Sequence, residues 1–172
     1  MNLLSHISVI IFATAPIVSF AEDFHIEDET LTPLPRSVES AIRSSKEFDS
    51  HSCKLIGKAV DLSGQGAMSG YVATTASGCD WGSALGPIWV VRIGNPSVVV
   101  LSHGGYSLTL GKQSQAGLRH IAISAGSAGW YQQGLWKFSG TKYKNVASYT
   151  FTAGDKESCD AHPNICPWKY DR

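Results

Sequence analysis

The sequence lacks net charge, because its 14 Lys and Arg residues are balanced by 14 Asp and Glu residues. A protein that binds nucleic acid by neutralising phosphates over a broad surface carries a clear excess of basic residues. The charge balance therefore argues against a nucleic-acid-binding protein. With 43% apolar and 16% charged residues, the composition is that of a globular domain rather than a disordered chain or a coiled coil.

The body of the sequence also lacks a long hydrophobic run. The one extended apolar stretch runs from Ile7 to Phe20, and it is shorter than the ~20 residues that a membrane-spanning helix needs. Ser19-Phe20-Ala21 places small residues at the two positions that a signal peptidase reads. We therefore expect residues 1–21 to be a cleaved signal peptide and the exported chain to have no membrane segment.

Cysteines are few, and all four follow the expected cleavage site. An even count in an exported protein is usually oxidised, and four cysteines allow three pairings. Cys159 and Cys166 bracket a turn-forming segment in which a local bridge closes easily, which would leave Cys53 to pair with Cys79. A metal site on Cys159 and Cys166 is the alternative, but zinc modules space paired cysteines by roughly two to four residues. We therefore expect disulfides and neither a metal nor another cofactor.

A glycosylation site of the Asn-x-Ser/Thr type is absent, because Asn95 is followed by Pro96. Nothing in the chain therefore indicates a glycosylated eukaryotic secreted protein. The expected signal peptide and the even cysteine count favour the bacterial periplasm instead.

The mature chain changes character near residue 36. Residues 22–35 are acidic at their start and contain Pro33 and Pro35, which is typical of a solvated arm with little structure. From Ser37 to Asp49 the apolar residues fall at helical spacing, which predicts one amphipathic helix lying on a sheet. We expect residues 36–172 to form a single globular domain.

After Cys53 short runs rich in Val, Ile, Thr and aromatic residues alternate with Gly, Asn-Pro and Ser clusters, which predicts strands. The predicted strands are Lys54 to Asp61, Gly70 to Thr75, Pro87 to Ile93, Ser97 to Leu101, Tyr106 to Leu110, Leu118 to Ser124, Leu135 to Ser139 and Tyr143 to Thr152. Gly94-Asn95-Pro96 and His103-Gly104-Gly105 are predicted to be tight connections between antiparallel neighbours. The predicted fold class is α+β, with an N-terminal helix packed on a twisted, disulfide-tied antiparallel meander of about seven or eight strands.

Charge is distributed unevenly along the chain. No Asp or Glu occurs between Trp81 and Gly154, whereas this region carries six Lys and Arg residues. A basic sheet region of this kind can face an anionic partner or be covered by the acidic arm. It can also consist of solvated lysines that discourage sheet edges from pairing.

Catalytic signatures are missing as well. Glycoside hydrolysis needs two carboxylates that converge on one cleft, and the predicted sheet offers none. Gly-x-Ser-x-Gly, Ser-x-x-Lys and His-Glu-x-x-His motifs do not occur. A small periplasmic hydrolase that uses His103 or His120 as a base is the enzymatic alternative, but the sequence favours a protein that acts by binding.

An aromatic and amide cluster is the best binding signal. Trp130, Tyr131 and Gln132 occur in a connection flanked by Gly and Ser, and such surfaces anchor protein contacts or stack on sugars. A glycan-binding module is therefore a second alternative. In a third interpretation Trp130 caps the core.

The segment from Ala59 to Gly66, followed by the strand Gly70 to Thr75, resembles the loop-and-strand unit of FG-GAP and VCBS-type repeats, in which a D-x-x-G-x-G turn precedes a strand. The similarity continues through Gly86 to Val91 and through Leu135 to Tyr143, which resembles a W-x-F-x-G-x-x-Y hairpin of small secreted bacterial proteins. Calcium-binding members surround the ion with several carboxylates, whereas the turn here has only Asp61. The resemblance implies that the turn is retained as structure without its calcium site.

The layout of signal, short helix and disulfide-tied antiparallel sheet resembles periplasmic immunity proteins that neutralise cell-wall amidases delivered by type VI secretion. Ser139-Gly140-Thr141-Lys142-Tyr143 is also similar to the S-G-x-x-Y loop of periplasmic lysozyme inhibitors, which plugs the active-site cleft. These resemblances imply a cell-wall hydrolase as protein partner, although an exposed sheet edge could also form a homodimer. The predicted contact residues are Trp130, Tyr131, Gln132, Lys137, Ser139, Gly140, Lys142 and Tyr143.

Overall fold

The computed structural model describes residues 23–49, 52–82, 85–127, 129–152 and 157. The expected signal peptide and the cysteines Cys159 and Cys166 lie outside the described residues. In the described part, the helix α1 and the ten strands have the following bounds: β1 Asp23–His25, β2 Thr32–Pro33, α1 Arg36–Arg43, β3 Leu55–Val60, β4 Gly70–Thr75, β5 Gly86–Arg92, β6 Val98–Gly105, β7 Ser107–Gln115, β8 Leu118–Ser127, β9 Trp130–Phe138 and β10 Tyr143–Thr152.

The strands form two five-stranded antiparallel sheets. The helix-covered sheet has the order β2-β3-β4-β5-β6, and the hairpin sheet has the order β1-β7-β8-β9-β10. The predictions of antiparallel pairing and of one helix are confirmed, whereas the predicted α+β class holds only in part, because the described residues are mostly strand with one helix. The prediction of one sheet of seven or eight strands is wrong, because the chain crosses to the second sheet after β6.

The burial pattern of β5 explains the layering. Ile88 and Val90 lie in the core between the two sheets, whereas Trp89 and Val91 lie in a second core beneath α1. A strand that is covered on both faces is a continuous apolar run, and β5 is such a run. The hairpin sheet instead alternates, with Leu108 and Leu110 of β7 in the core between the sheets and Thr109 exposed.

Helix α1 packs on the outer face of the helix-covered sheet through Val38 and Ile42. The prediction of a helix lying on a sheet is therefore confirmed, but the helix ends at Arg43 rather than Asp49. The hydroxyl of Ser44 donates to the carbonyl of Ala41, 3.2 Å away, and such local bonds compete with continuation of a helix. Phe48 still reaches the core from the following turn, with its ring centroid 5.6 Å from that of Trp89.

Three further predictions differ from the structure. The acidic arm contains the short strands β1 and β2, which pair with β7 and β3, because burial of Phe24 and Leu34 outweighs the local preference for a solvated chain. His103-Gly104-Gly105 lies within β6 rather than in a turn. Strand β9 begins at Trp130 rather than Leu135, because its polar first half is held by backbone pairing on both sides.

The expected bridge between Cys53 and Cys79 is present, with an S–S distance of 2.00 Å. It ties the segment before β3 to the loop after β4. No helix among the described residues is long and apolar enough to cross a membrane.

Candidate partner-binding surfaces

The predicted contact residues lie at two opposite ends of the hairpin formed by β9 and β10. Trp130 pairs with Thr152 at one end, and Phe138 pairs with Tyr143 at the other. At about 3.3 Å per residue, the two ends of β9 are roughly 26 Å apart. The structure therefore divides the predicted site into an aromatic end (Trp130, Tyr131 and Gln132) and a turn end (Ser139, Gly140, Lys142 and Tyr143).

The turn end is an exposed turn whose shape is fixed by its own hydrogen bonds. The Ser139 amide donates to the carbonyl of Lys142 at 3.0 Å, and the Ser139 hydroxyl donates to the same oxygen at 2.7 Å. Gly140 has a φ of 98°, which glycine adopts without strain. The turn is thus held in one conformation while its side chains remain open to solvent.

A shallow pocket of about 250 Å³ lies beside this turn. Its lining comes from the end of α1, the start of β6 and Lys142, and Val98 in this lining is 40% exposed. The Lys142 ammonium lies 2.8 Å from the Glu47 carboxylate, and both side chains are about half exposed. The turn end therefore combines a fixed turn, an exposed ion pair and an apolar contact.

Tyr143 lies at the base of the turn and is only 5% exposed. Its hydroxyl donates to the carbonyl of Arg119 at 2.8 Å, and burial raises the pKa of Tyr143. Its ring packs against Phe138, with the centroids 5.4 Å apart. Within the predicted site Tyr143 therefore fixes the base of the turn, and the exposed residues before it form the accessible surface.

Lys137 lies between the two ends, on the outer face of the hairpin sheet. It is directly opposite Lys144 of β10. On the neighbouring strand, burial and then the charge of Lys137 lower the pKa of His120. Lys137 and Lys144 therefore form a basic pair beside His120, and strands β8, β9 and β10 contain no acidic residue.

The aromatic end exposes Trp130, which is 46% accessible, beside the half-buried Tyr131 and Gln132. A second pocket, of about 230 Å³, is also lined by aromatic side chains, those of Trp81 and Tyr106, together with His25, Ile26 and Glu27. This pocket is not apparent from the sequence, because its walls come from three distant segments. The Gly-rich loop around Trp81 is the one local signal that indicates a special conformation there.

The loop that resembles an FG-GAP turn is organised by Asp61. One oxygen of its carboxylate accepts hydrogen bonds from the amides of Ser63 and Gly64 and from the Ser63 hydroxyl, and the other accepts one from the Gly66 amide. Burial raises the pKa of Asp61, but the four hydrogen bonds together lower it below its ordinary value of 3.8. The carboxylate thus occupies the centre of the turn with loop donors on both oxygens.

We expect Asp61→Asn to lower the free energy of unfolding by about 2 kcal/mol at pH 7, because hydrogen bonds to a charged group are lost. A lowered pKa in the folded state gives stability that is present above pH 3.8 and is lost as the pH falls through the folded value. The loss caused by the variant should therefore shrink below pH 3.8, as measured by urea unfolding. Ser63→Ala removes one of the four bonds and should cost less; equal losses at pH 7 and pH 3 would contradict this role.

One group of side chains among the described residues has the composition of a metal site. Cys53, Cys79 and Asp80 cluster closely, but the two sulfurs are joined in a disulfide and are not thiolate ligands. His103 stacks edge-on against Trp136 with the ring centroids 4.9 Å apart. Within the described ranges, neither His103 nor His120 forms an ion pair with a carboxylate.

Comparison of the chain with protein-family models, with curated protein sequences and with solved structures finds no match.

Proposed function

We propose that this protein is a periplasmic binding protein that neutralises a cell-wall-degrading enzyme by inserting the turn Ser139 to Lys142 into the enzyme's cleft. The observation that carries the proposal is the fixed conformation of this exposed turn. The first target class is a peptidoglycan amidase effector, for which the protein would be an immunity protein, and lysozyme is the alternative target.

The internal hydrogen bonds of the turn favour insertion. A binding segment that must first be ordered loses affinity, because ordering side chains and backbone costs free energy on association. Here Ser139 already fixes the carbonyl of Lys142 with two bonds, and buried Tyr143 fixes the base. The turn can therefore enter a concave site with little further loss of conformational freedom.

The charges at this end favour an acidic cleft. Among the residues that the structure describes, Lys142 forms its ion pair with the half-exposed Glu47, and exposed ion pairs contribute about 1 kcal/mol or less. Lys142 can therefore exchange Glu47 for a carboxylate of the partner at small cost. A lysine-bearing turn is suited to an amidase whose cleft is acidic, and equally to the alternative target, lysozyme, because glycoside hydrolases place two carboxylates in the cleft.

The pair Lys137 and Lys144 also favours a partner with an acidic surface. Like charges directly opposite on neighbouring strands destabilise a sheet, and these two lysines are register partners. An anionic patch on a partner would relieve this repulsion and steer association. The proposed interface therefore extends from the turn along the outer face of β9 and β10.

The disulfide between Cys53 and Cys79 is compatible with the proposed location, since disulfides persist in oxidising compartments. Export also fits the proposed target, because peptidoglycan lies outside the cytoplasmic membrane.

The test starts from the exported full-length chain, used to capture partners from periplasmic extract and from the products of neighbouring genes. We expect capture of one cell-wall hydrolase at near-equal stoichiometry, with its peptidoglycan-degrading activity suppressed. Lys142→Glu and Thr141→Trp should each weaken inhibition at least about tenfold, because they place a repelling charge or a bulky ring at the point of insertion.

Lys54→Glu provides the matched control, since Lys54 is exposed and precedes β3 at the end of the helix-covered sheet opposite to Val98 and the turn. It should change the inhibition constant by no more than about twofold. Failure to capture a hydrolase, or equal inhibition by the turn variants and the wild type, would contradict the proposal.

A glycan-binding module is the second candidate, and the exposure of Trp130 beside Tyr131 and Gln132 favours it. Aromatic faces next to amides are suited to sugar rings. Sedimentation with purified peptidoglycan that is abolished by Trp130→Ala, with the turn variants unaffected, would select this function over inhibition.

A further inference from the structure

The pocket lined by Trp81 and Tyr106 is separate from the turn proposed to enter a partner enzyme. It lies where Gly86, the first residue of β5, pairs with Gly105, the last residue of β6, whereas the turn end adjoins Val98 at the opposite end of β6. Three chain segments meet in it: the residues after β1, the loop after β4 and Tyr106 between β6 and β7.

Its indole wall is fixed in place. The Trp81 Nε1–H donates to the Thr75 hydroxyl at 2.9 Å, and that hydroxyl in turn donates to the carbonyl of Cys79. A Cβ atom on Gly86 would lie 2.8 Å from Trp81 Nε1, so glycine is needed for the indole to lie this close to β5. The disulfide of Cys79 with Cys53 holds the same loop.

The phenol wall is fixed by backbone bonds on both sides. The Tyr106 amide donates to the carbonyl of Ser124 at 2.9 Å, and the Tyr106 carbonyl accepts from the Ile26 amide at 3.0 Å. Its side chain is half-buried and forms a hydrogen bond with Ser124. Both aromatic rings are therefore held before any ligand arrives.

Acidic residues outnumber Lys and Arg around this pocket, which His25 also lines. Glu27 lines it and is exposed, and Asp28 and Glu29 follow directly. The neighbouring cation, Lys58, is occupied, since its ammonium lies 3.8 Å from the Asp28 carboxylate and donates to the backbone carbonyl of Asp23. No Lys or Arg lines the pocket in the described part of the chain.

We propose that this pocket binds a small alkylammonium cation, held between the Trp81 and Tyr106 rings with the Glu27 carboxylate at its rim. Aromatic faces attract cations through the ring quadrupole, most strongly for Trp, and a carboxylate adds a charge-assisted contact. A pocket of about 230 Å³ accommodates a headgroup of the size of choline. Both a free solute such as choline and the lysine side chain of a peptide present an alkylammonium cation of this kind.

The test uses the ¹H–¹⁵N spectrum of the exported full-length protein, in which Trp81→Phe identifies the indole resonance of Trp81. Choline should produce a saturable shift of this resonance. Its neutral isostere, 3,3-dimethyl-1-butanol, has the same shape without the charge and should bind at least about fivefold more weakly. Nα-acetyl-lysine amide is titrated in parallel, and tighter binding than choline would indicate a polypeptide source of the cation.

Three variants locate the site. Glu27→Gln should weaken choline binding about fivefold, whereas Glu29→Gln, which removes an equal charge two residues away and outside the lining, should leave it nearly unchanged. Tyr106→Phe keeps the ring and should retain binding, and Tyr106→Leu should lose it while the rest of the spectrum stays dispersed.

Absence of a saturable shift with both cations up to about 50 mM, well above the millimolar Kd expected for so small a ligand, would overturn the proposal. Equal binding of the neutral isostere, or equal weakening by Glu27→Gln and Glu29→Gln, would also overturn it.

Discussion

Replacing Arg119 by methionine is expected to lower the free energy of unfolding by about 3 to 5 kcal/mol, because it leaves three carbonyl groups without their charged donor. Arg119 is 6% exposed on β8. Its guanidinium donates to the carbonyls of Gly111, Leu110 and Asp61 at 2.6, 2.8 and 3.3 Å. Urea unfolding followed by tryptophan fluorescence measures the loss.

Two matched variants separate the hydrogen bonds of Arg119 from its charge. Arg119→Lys keeps a cation but cannot present the planar fork of donors, so we expect an intermediate loss. Lys112→Met removes an exposed cation of the same region and should change stability by less than about 0.5 kcal/mol. A loss below about 1 kcal/mol for Arg119→Met would contradict this role of the guanidinium.

The position of Arg119 explains why the expected effect is large. Its amide donates to the carbonyl of Leu62 at 2.7 Å, so its backbone and its side chain both bind the loop after β3 from the opposite sheet. Its own carbonyl accepts from the Tyr143 hydroxyl. One residue thus connects the loop organised by Asp61, the hairpin sheet and the base of the turn proposed to contact a partner.

The individual strands were largely predictable from the sequence. The bounds of β4 match the prediction, and those of β3 and β5 match within one residue at each end. These strands are short apolar runs between turn residues, so the local pattern is sufficient. The bridge between Cys53 and Cys79 was predicted on similarly simple grounds.

The division into two sheets was not predictable in the same way. Within β6 the sequence His103-Gly104-Gly105 has the composition of a turn, yet Gly105 is buried where a Cβ atom would lie 2.6 Å from the side chain of Ile123. Glycine is required there by the close approach of the sheets, not by a reversal of the chain. Composition alone does not distinguish these two uses of glycine.

The two candidate sites differ in the same way, because one is formed by local sequence and the other by tertiary contacts. The turn Ser139 to Lys142 is contiguous in sequence, so a motif could indicate it. The pocket lined by Glu27, Trp81 and Tyr106 depends on the pairing of strand β1 with β7. The acidic composition of residues 22–35 predicts a solvated arm there instead of a strand. Such a site becomes visible only when tertiary contacts are known.

Removal of the bridge by Cys53→Ala and Cys79→Ala together is expected to lower the free energy of unfolding by about 3.5 kcal/mol, as chain entropy predicts for the 26-residue separation of the two cysteines. The double variant should also broaden the Trp81 indole resonance, because the loop that holds this ring loses its covalent tie. Urea unfolding and the ¹H–¹⁵N spectrum provide the two measurements.

The second cysteine pair supplies the control for the bridge. A bridge between Cys159 and Cys166, which the sequence predicts, would close a shorter loop, so Cys159→Ala and Cys166→Ala together should cost less stability, and the Trp81 resonance should remain sharp. In the wild type, the Asp80 carboxylate lies 3.2 Å from Cys53 Sγ, and its charge repels an attacking thiolate and disfavours the thiolate that reduction would release. Mild reductant should therefore act slowly on this bridge. Equal stability of the Cys53 and Cys79 double variant and the wild type would contradict this role of the bridge and would show that the core between the sheets holds the loop without it.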